Sequence, residues 1–368
     1  MTKTRTKHVR EPLVHLTRRL NVSKPYAWGI RIGAFVLSIL ACAIVSMILS
    51  KNVTFGMFFK YLFKGAFGTT KMTEALIREV AILLLLALAV TPCFKMRYWN
   101  IGGEGQAMMG AFGCALIISY CAGKMSVGGV IVLSFLTAIA FAMAWALIPA
   151  LFKAKWNTNE TLFTLMMNYI IIGVVAWLQS GPWEARQGRI AQFPQVAWLP
   201  KVEGVHCGWI IVLVLVLLVH IYMRHTKQGY EIAVIGDSLR TAQYAGMNVG
   251  RIMMRTMFLS GAISGLVGFI LCSGATNTLS KDIAGGVGFT SITVAWLSQL
   301  NAFAMVAISL LLGILTKGAD TLQTVMNVPA AISDIIIGLL LFCMLGCEFF
   351  INYRLILRKK AGKGGAAA

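Results

Sequence analysis

Three polar side chains interrupt an apolar part of the sequence: Asn100, Glu104 and Gln106, in the stretch NIGGEGQ. The same stretch contains three glycines, and long apolar runs precede and follow it. Amide and carboxylate groups can hydrogen-bond a hydrophilic solute, while glycine lets the backbone leave helical geometry or lets helices approach closely. Two interpretations stay open from these residues: a tight loop between helices near a surface, and a polar part of a solute pathway.

A second GGxG motif follows 183 residues after the first, where Gly285 and Gly288 stand in AGGVGFTSITVAW. Each motif lies between two apolar segments. This spacing suggests an internal repeat of inverted orientation, in which predicted spans 2–5 correspond to spans 7–10. Transporters built in this way place their pathway at the interface between the repeats. We therefore assign Asn100, Glu104, Gln106, Asn168, Gly285 and Gly288 to the predicted pathway, with chance similarity of two glycine-rich turns as the alternative.

The composition predicts the elements that must position these residues. Of 368 residues, 58% are hydrophobic and 12% are charged, whereas a soluble domain has about 25% charged residues. The apolar runs reach the roughly 20 residues that a helix needs to cross a bilayer. They are too long and too uniform for the short alternating strands of a membrane β-barrel. The sequence therefore predicts an all-α polytopic membrane protein.

Apolar length, breakers and charges predict about ten transmembrane helices. The predicted domains are a basic N-terminal arm (1–28), a transmembrane domain (29–352) and a basic C-terminal tail (353–368). Within the transmembrane domain, 180–207 is predicted to be an external loop and 224–255 a cytoplasmic segment. The amphipathic segment that begins at Phe55 is predicted to be an interfacial helix. The predicted spans are 29–50, 72–92, 106–122, 126–152, 160–179, 208–223, 256–274, 286–299, 302–316 and 330–351.

The formal net charge is +20, and basic residues are concentrated before the first span and after the last. Because cytoplasmic flanks of membrane helices are enriched in Lys and Arg, both termini are predicted to be cytoplasmic. No base-reading motif accompanies these charges, so nucleic acid is not expected as a partner. The eight cysteines are scattered without metal-ligand spacing, and we interpret them as small apolar core residues.

Two further groups of polar residues fall on predicted spans. Asn159 and Glu160 open a helix in NETLFTLMMNYI, where capping alone explains them. Asn168 lies two turns further on, where a lone amide is more often an interhelical hydrogen-bonding group than a solute contact. Arg78 and Glu79 lie within two turns of the start of predicted span 2, and extension of their charged ends to the membrane surface is the favoured interpretation.

The cytoplasmic segment contains GYEIAVIGDSLRTAQYAGMNVGR. Gly236 allows a turn, and Asp237 or Ser238 can cap a short helix through LRTAQYAGM. Gly246 can end that helix. The segment is therefore predicted to hold a short helix on the cytoplasmic side.

NIGGEGQ, NETLFTLMMNYI and this cytoplasmic stretch together resemble the inner-membrane permeases of ABC importers for nucleosides. These belong to a larger group of ribose-type and branched-chain amino-acid-type permeases. The resemblance runs from about residue 30 to about residue 350, in the same order and spacing. Residues 294–303, with Gln299, match the family only loosely. The second element of the family pattern maps onto Asn159, Glu160, Thr164, Leu165, Met166, Asn168, Tyr169 and Ile170.

The resemblance implies a subunit of a bacterial inner-membrane complex embedded in membrane lipid. Its expected partners are a second permease subunit, a cytoplasmic ABC ATPase with two nucleotide-binding modules, and an external solute-binding lipoprotein. It also implies that the short cytoplasmic helix docks on the ATPase. The residues assigned to this coupling helix are Gly236, Asp237, Arg240, Tyr244, Ala245 and Gly246.

The predicted function is a pathway for nucleosides or related purine compounds, energised by a separate ATPase. The sequence contains no GxxxxGK[ST] motif, so ATP is expected to bind to the partner and this chain to carry no cofactor or metal. A simple-sugar ABC permease is one alternative, and an ion-coupled transporter using Glu79 and Glu104 is another. The stretch SGAISG from Ser260 is predicted to serve close helix packing rather than intramembrane catalysis.

Overall fold

The structure is a computed structural model that describes residues 14–19, 22–49, 54–202, 204–326 and 349–357, with 335, 338, 339, 342, 343, 346 and 347 between the last two ranges. The chain divides into two compact units. One contains residues 1–58 and 328–368, and the other contains residues 59–327.

The first unit contains α1 (Lys24–Leu49), the start of α2 (Phe55–Phe67), and a two-stranded sheet. Strand β1 (Val14–Arg18) pairs antiparallel with β6 (Tyr353–Leu357). The sequence predicted only a basic arm and a basic tail at these positions. Their strand pairing places residues 14–18 and 353–357 side by side.

The second unit is helical apart from two short hairpins among its described residues. Its helices are α3 (Thr70–Lys95), α4 (Gly103–Cys121), α5 (Val127–Trp156), α6 (Glu160–Gln179), α7 (Gly208–His225), α8 (Lys227–Asp237), α9 (Leu239–Tyr244), α10 (Val249–Ile270), α11 (Val287–Leu297) and α12 (Ala302–Met326).

Seven helices in the described ranges are long and apolar enough to cross a membrane. The prediction of an all-α polytopic membrane protein is therefore confirmed. These spans are Pro25–Ile48, Thr70–Lys95, Val127–Trp156, Glu160–Gln179, Gly208–His225, Val249–Ala275 and Ala302–Val325.

Three of the ten predicted spans differ from this set. The predicted span 106–122 corresponds to α4, which begins three residues earlier and includes the polar stretch in its first turn. The predicted span 286–299 is wrong as a full crossing, because α11 has 11 residues. At 1.5 Å per residue it covers about 16 Å, roughly half of the hydrocarbon core. Most of the predicted span 330–351 lies outside the described residues.

Local sequence signals explain several helix ends. Ser126 caps α5, and Asn159 caps α6 by accepting hydrogen bonds from the backbone N–H groups of Thr161 and Leu162. The predicted capping role of Asn159 is therefore confirmed. Asn157 follows the last residue of α5, and its φ of 48° is the left-handed conformation common at helix C-termini.

The interior is formed where α10 packs against α4 and α5. Small residues allow this close approach: a Cβ on Gly261 would lie 2.7 Å from the Cβ of Ala146, and a Cβ on Gly265 would lie 2.7 Å from the carbonyl oxygen of Ala138. The prediction that SGAISG serves close packing is thus confirmed. Packing of small residues is a main source of helix association where lipid removes the hydrophobic driving force.

The helix contacts have a reciprocal pattern. Helix α10 packs against α4 and α5, while α3 packs against α11 and α12, and α3 also packs against α10. Exchanging α3 with α10, α4 with α11 and α5 with α12 reproduces the same set of neighbours. This pattern supports the predicted repeat of two halves around the pair of GGxG motifs.

The predicted external loop, residues 180–207, has its own structure. It contains the hairpin of β2 (Glu184–Arg186) with β3 (Arg189–Ile190) and that of β4 (Lys201–Val202) with β5 (Val205–His206). The loop is tied to the end of α10, where residues 271–275 form a π-helical turn, because Leu199 N–H donates to the carbonyl of Ser273.

Candidate pathway site and coupling segment

The two GGxG motifs meet in the structure through one carboxylate. Glu104 accepts a hydrogen bond from Gly286 N–H at 2.8 Å with Oε1, and one from Gly288 N–H at 2.7 Å with Oε2. Glu104 lies in the first turn of α4, and the two glycines lie at the N-terminus of α11. The two helices therefore meet at their N-termini, with a buried carboxylate at their positive dipole ends.

We call the contact of Glu104 with Gly286 and Gly288 the junction. Glycine is required on its α11 side. Gly285 and Gly286 have φ values of +56° and +79°, in the left-handed region that other residues rarely adopt. At Gly288 a Cβ would lie 2.6 Å from the backbone nitrogen of Glu104. Gly288 is buried in this contact, whereas Gly285 is exposed.

The side chain of Asn100 connects the N-terminus of α4 to α10. Its Oδ1 accepts hydrogen bonds from Gly102 N–H at 3.0 Å and from Gln106 Nε2 at 3.2 Å, and its Nδ2 donates to Ser260 Oγ at 3.1 Å. Ser264 Oγ in turn donates to Gln106 Oε1 at 3.3 Å. The serines of SGAISG therefore complete a polar network that the sequence did not predict.

Asn168 connects the same stretch to α6. Its Nδ2 donates to the carbonyl of Ile101 at 3.0 Å, and its Oδ1 accepts from Gly105 N–H at 2.9 Å. Thr164 Oγ1 accepts from Ile101 N–H at 3.2 Å. Asn168 thus has the interhelical hydrogen-bonding role that the sequence favoured, and its contact with solute stays a prediction.

The interpretation of NIGGEGQ as a tight surface loop is wrong, and its role in a solute pathway stays a prediction. Residues 103–106 are neither a surface loop nor an unwound segment, because they form the first, buried turn of α4. Gly105 is needed for close approach, since a Cβ there would lie 2.6 Å from Asn168 Oδ1. The polar groups of Asn100, Glu104, Gln106 and Asn168 all hydrogen-bond other parts of the protein in this conformation.

The junction lies deep in the helical unit. Ser260 is eleven residues after the start of the 27-residue span Val249–Ala275, which is about 16 Å along the helix axis. Ser260 therefore lies well inside its span, whereas its partner Asn100 lies five residues after the last residue of the span Thr70–Lys95.

Three aromatic rings lie beside the junction. Trp99 stacks on Trp296 with ring centroids 5.4 Å apart and an interplanar angle of 26°. Phe94 lies 5.7 Å from each of these indoles. No sequence pattern predicts that these rings meet, because they belong to two distant segments of the chain.

Glu79 has a partner that the sequence did not predict. Lys317 Nζ lies 2.9 Å from Glu79 Oε2 and 3.3 Å from Asp320 Oδ2. The Glu79 carboxylate therefore pairs with a lysine on α12, while extension of its charged end to the membrane surface stays a prediction. The ion pair joins α3 to α12.

The predicted cytoplasmic segment forms two helices. Helix α8 ends at Asp237, and Ser238 caps α9 by accepting a hydrogen bond from Thr241 N–H at 3.2 Å. Of the two predicted capping residues, Ser238 therefore performs this role. Gly246 follows α9 with a φ of +74°, which agrees with its predicted role at the helix end.

One side of this segment packs against the bundle and the other side is open. Gly236 lies directly against the backbone carbonyl of Lys95, and Ala242 is fully buried. Tyr244 is 91% exposed, and Arg240 and Ala245 are also exposed. The segment therefore presents a short helix with a fixed position and a free outer face.

A cavity of about 590 Å³ lies behind α9. Its walls include Arg97, Asp237 and the ion pair of Lys153 with Glu160, whose charged atoms are 2.9 Å apart. The cavity lies between α9 on one side and the C-terminus of α5 and the N-terminus of α6 on the other.

The helical fold is that of a multi-pass membrane protein. Residues 72–345 match the family described as the permease component of the branched-chain amino acid transport system. This match covers well over half of the chain, so the chain belongs to this family. It is a transport subunit of the ABC permease class, which works with an ATPase and a substrate-binding protein.

Curated relatives share most of the chain's length. It is 30% identical to the glucose ABC transporter permease protein TsgB13 of Haloferax volcanii, over 89% of this chain and 90% of the relative. It is 28% identical to the guanosine ABC transporter permease protein NupP of Bacillus subtilis, over 89% of this chain and 96% of the relative.

Similarity to solved structures is weaker. A chain of PsaBC from Streptococcus pneumoniae, solved in complex with a Fab, gives a TM-score of 0.47 at 14% identity. The alignment covers 78% of this chain and 94% of the PsaBC chain. The assignment above therefore rests on the family match, the curated relatives and the chain's own helices.

Proposed function

We propose that this chain forms the membrane pathway of an importer for nucleosides or related purine compounds. The observation that carries the proposal is the contact of Glu104 with Gly286 and Gly288. It joins the two GGxG motifs of the predicted repeat, and transporters built from such repeats place their pathway at the interface between them. Nucleosides carry hydroxyl groups and ring nitrogens, which amide and backbone groups can hydrogen-bond.

The relatives support a nucleoside as the cargo. NupP is named for guanosine, and the nucleoside ABC transporter permease protein NupB of Lactococcus lactis is 24% identical over 88% of this chain. A simple sugar is the second candidate, because TsgB13 is named for glucose and is similar over the same length. Both kinds of cargo are neutral and polar, so the buried amides suit either.

We propose that the solute is released when the junction opens. In this conformation Asn100, Gln106 and Asn168 are occupied by protein partners. A solute reaches these amides only if α4 separates from α6 or α10 by a small movement. Two alternating arrangements of a packed interface are a common means of such a switch.

ATP hydrolysis by a separate subunit would supply the energy for that movement. We propose that the exposed face of α9, with Asp237, Arg240, Tyr244, Ala245 and Gly246, contacts a cytoplasmic ATPase with two nucleotide-binding modules. Gly236 serves on the opposite side, where it fixes the segment to α3. The exposed aromatic and the arginine are residue types that commonly dominate interface affinity.

The assembly that we propose contains two permease subunits in the inner membrane and an external solute-binding lipoprotein. Both chain termini would face the cytoplasm, as the distribution of basic residues predicts. The pairing of β1 with β6 supports this arrangement, because it requires residues 14–18 and 353–357 to lie on the same side.

The test is ATP-driven uptake by the complete complex in proteoliposomes. We expect uptake of labelled guanosine to require ATP hydrolysis and to be competed by other nucleosides more strongly than by glucose. Uptake of glucose with no uptake of guanosine would establish the sugar alternative. Uptake by this chain alone, driven by an ion gradient without ATP, would establish the ion-coupled alternative.

The ATPase contact has its own test. The double variant Asp237→Lys with Arg240→Glu inverts two exposed charges of the coupling segment, and we expect it to lose the ATPase during co-purification. The matched control is Asp282→Asn with Lys281→Gln, which changes two exposed charges outside this segment. Retention of the ATPase by the coupling variant would contradict the proposed contact.

A further inference from the structure

A cavity of about 260 Å³ lies where three spans end together. Its walls include Lys95, the last residue of α3, Arg224 in the last turn of α7, and Ala302, the first residue of α12. All three helices are long and apolar enough to cross a membrane. Their shared end therefore lies at a membrane surface, at the level of the lipid head groups. We call this space the basic cavity.

The basic cavity is lined by positive charges and neutral hydrogen-bond donors. Besides Lys95 and Arg224, its wall contains the donor side chains of His220, Gln299 and Asn301. None of its described lining residues is acidic. Among the residues that the structure describes, neither Lys95 nor Arg224 forms an ion pair. Such a wall attracts an anionic group and offers it charge-assisted hydrogen bonds.

The turn between α11 and α12 supplies the two amides of this wall. Gln299 and Leu300 have φ values of +53° and +59°, a left-handed conformation that bulky side chains rarely adopt and that costs free energy. Leu300 N–H donates to the carbonyl of Ala295 at 2.9 Å, which holds the turn. Asn301 Oδ1 accepts from Phe303 N–H at 3.0 Å, so its Nδ2 is the donor left for a ligand.

An exposed apolar stripe on α7 leads to the same cavity. Ile210, Leu213 and Leu217 are between 41% and 53% exposed. At about 100° per residue, positions 210, 213, 217 and 224 fall within about 60° of one another around the helix, and they extend over about 21 Å of its length. The stripe therefore ends at Arg224. A ligand with an anionic head and an apolar tail matches both the cavity and the stripe.

Two simpler explanations account for positive charge at these helix ends. Lys95 and Arg224 stabilise the C-terminal dipoles of α3 and α7, and cytoplasmic flanks of spans are enriched in lysine and arginine. Neither explanation requires the two charges to line one cavity with neutral donors and an adjacent apolar stripe. Lys155, in the last turn of α5, satisfies both explanations differently, since its Nζ lies 5.8 Å from the ring centre of Trp156.

We propose that the basic cavity binds the phosphate of an anionic phospholipid, with one acyl chain along the apolar stripe of α7. Basic cavities between membrane helices on the cytoplasmic side bind anionic head groups in other proteins. The head group bridges α3, α7 and the turn that precedes α12. Because α8 begins two residues after α7 ends, the lipid also holds the base of the coupling segment. This site is the same whichever solute the chain transports.

The experiment counts lipids bound to the purified permease complex by native mass spectrometry. The complex is titrated in detergent with dioctanoyl phosphatidylglycerol, with dioctanoyl phosphatidylcholine as the zwitterionic lipid and glycerol phosphate as the free anion. Lys95→Gln with Arg224→Gln removes both charges, and Lys95→Arg with Arg224→Lys retains them. The matched control is Lys155→Gln with Arg251→Gln, which removes two exposed basic residues from the ends of α5 and α10.

We expect phosphatidylglycerol to bind the wild type more tightly than phosphatidylcholine does. Removal of both charges should raise the half-saturating concentration of phosphatidylglycerol about 30-fold, from a contribution of about fivefold per basic residue. The charge-retaining variant and the control should bind as the wild type does. Equal binding of the two lipids, or equal phosphatidylglycerol binding by the charge-removing variant and the wild type, would overturn the proposal. Equally tight binding of glycerol phosphate would identify a site for a free anion and overturn the lipid.

Acidic groups of the ATPase are the competing occupant, and co-purification distinguishes them from lipid. We expect Lys95→Gln with Arg224→Gln to retain the ATPase while it loses phosphatidylglycerol. Loss of the ATPase with unchanged lipid binding would assign the cavity to the protein partner instead. As an independent readout, phosphatidylglycerol should raise the unfolding midpoint of the wild type but not that of this variant; equal shifts would contradict the proposal. None of these measurements depends on the solute, so their failure leaves the proposed function intact.

Discussion

The carboxylate of Glu104 accepts a hydrogen bond from the backbone N–H of Gly288 at 2.7 Å. The two residues are 184 positions apart in the chain, one at the start of α4 and one at the start of α11. An acid at this point is stabilised by the N-terminal dipoles of two helices. The relationship explains why an apolar sequence contains a carboxylate between glycines.

The charge of Glu104 should stabilise the junction. Glu104→Gln keeps the size of the side chain but removes the charge from two helix N-termini, so we expect a loss of about 1–2 kcal/mol in the free energy of unfolding. Thermal unfolding in detergent, with Asp282→Asn as a control for loss of an exposed charge, measures the effect. An equal midpoint for both variants would show that the junction does not need the charge.

The close contact at Gly105 should not tolerate a side chain. In Gly105→Ala the new Cβ would lie 2.6 Å from Asn168 Oδ1 and 2.8 Å from its Cα, so we expect destabilisation of about 1–3 kcal/mol from overpacking. The matched control is Gly173→Ala, in the same class of membrane helix, where nothing lies within 4 Å of the added Cβ. The control should be neutral; similar losses in both variants would contradict the packing argument.

Tyr244 should contribute to ATPase binding rather than to folding. Because it is 91% exposed, Tyr244→Ala should leave the unfolding midpoint unchanged. If the residue anchors the interface, the variant should weaken ATPase binding at least tenfold. Binding of the purified ATPase to the permease in nanodiscs measures this effect. Tyr120→Ala, at an exposed tyrosine outside the coupling segment, serves as the control and should bind normally.

The pair of Glu79 with Lys317 should hold α3 against α12. Lys317→Met leaves the Glu79 carboxylate without its 2.9 Å partner, so we expect destabilisation, partly offset because both side chains retain some solvent contact. Exchange of the two residues, Glu79→Lys with Lys317→Glu, should recover part of the loss. A double-mutant cycle measured by thermal unfolding should give a coupling of about 1 kcal/mol; additive effects would exclude a direct interaction.

His206 should make stability depend on pH. Burial, followed by the positive charge of Arg78, lowers its pKa from 6.5 to about 4. Neither ring nitrogen has a hydrogen-bond partner in the described part of the chain. The folded protein therefore keeps His206 neutral at pH values where the unfolded chain binds a proton, so its contribution is complete above pH 6.5 and decreases as the pH falls towards 4.

The expected change is about 3 kcal/mol across this interval. Unfolding midpoints between pH 7 and pH 4 should fall less steeply in His206→Leu than in the wild type. His225→Gln, at an exposed histidine, should retain the wild-type pH dependence. Parallel curves for all three proteins would show that another group controls the acid sensitivity.

Several features of the fold could be predicted because they depend on local composition. The apolar runs determined the helical, membrane-spanning class, and capping residues such as Asn159 marked helix starts. The small residues of SGAISG indicated close packing, since few other roles suit such a stretch in an apolar helix. The short helix α9 was also predicted from local residues, because Ser238 and Gly246 are typical of helix ends.

The sequence by itself determined which residues are polar in an apolar setting, and hence that Asn100, Glu104 and Gln106 are candidate site residues. Only the tertiary structure decided what they contact. Ser260, Gly288 and Trp296 are more than 150 positions away from their partners, and no local pattern specifies such a pairing. The length of α11 was overestimated for the same physical reason: apolar composition reports burial in lipid or protein, whereas the point where a helix stops depends on the backbone and packing around it.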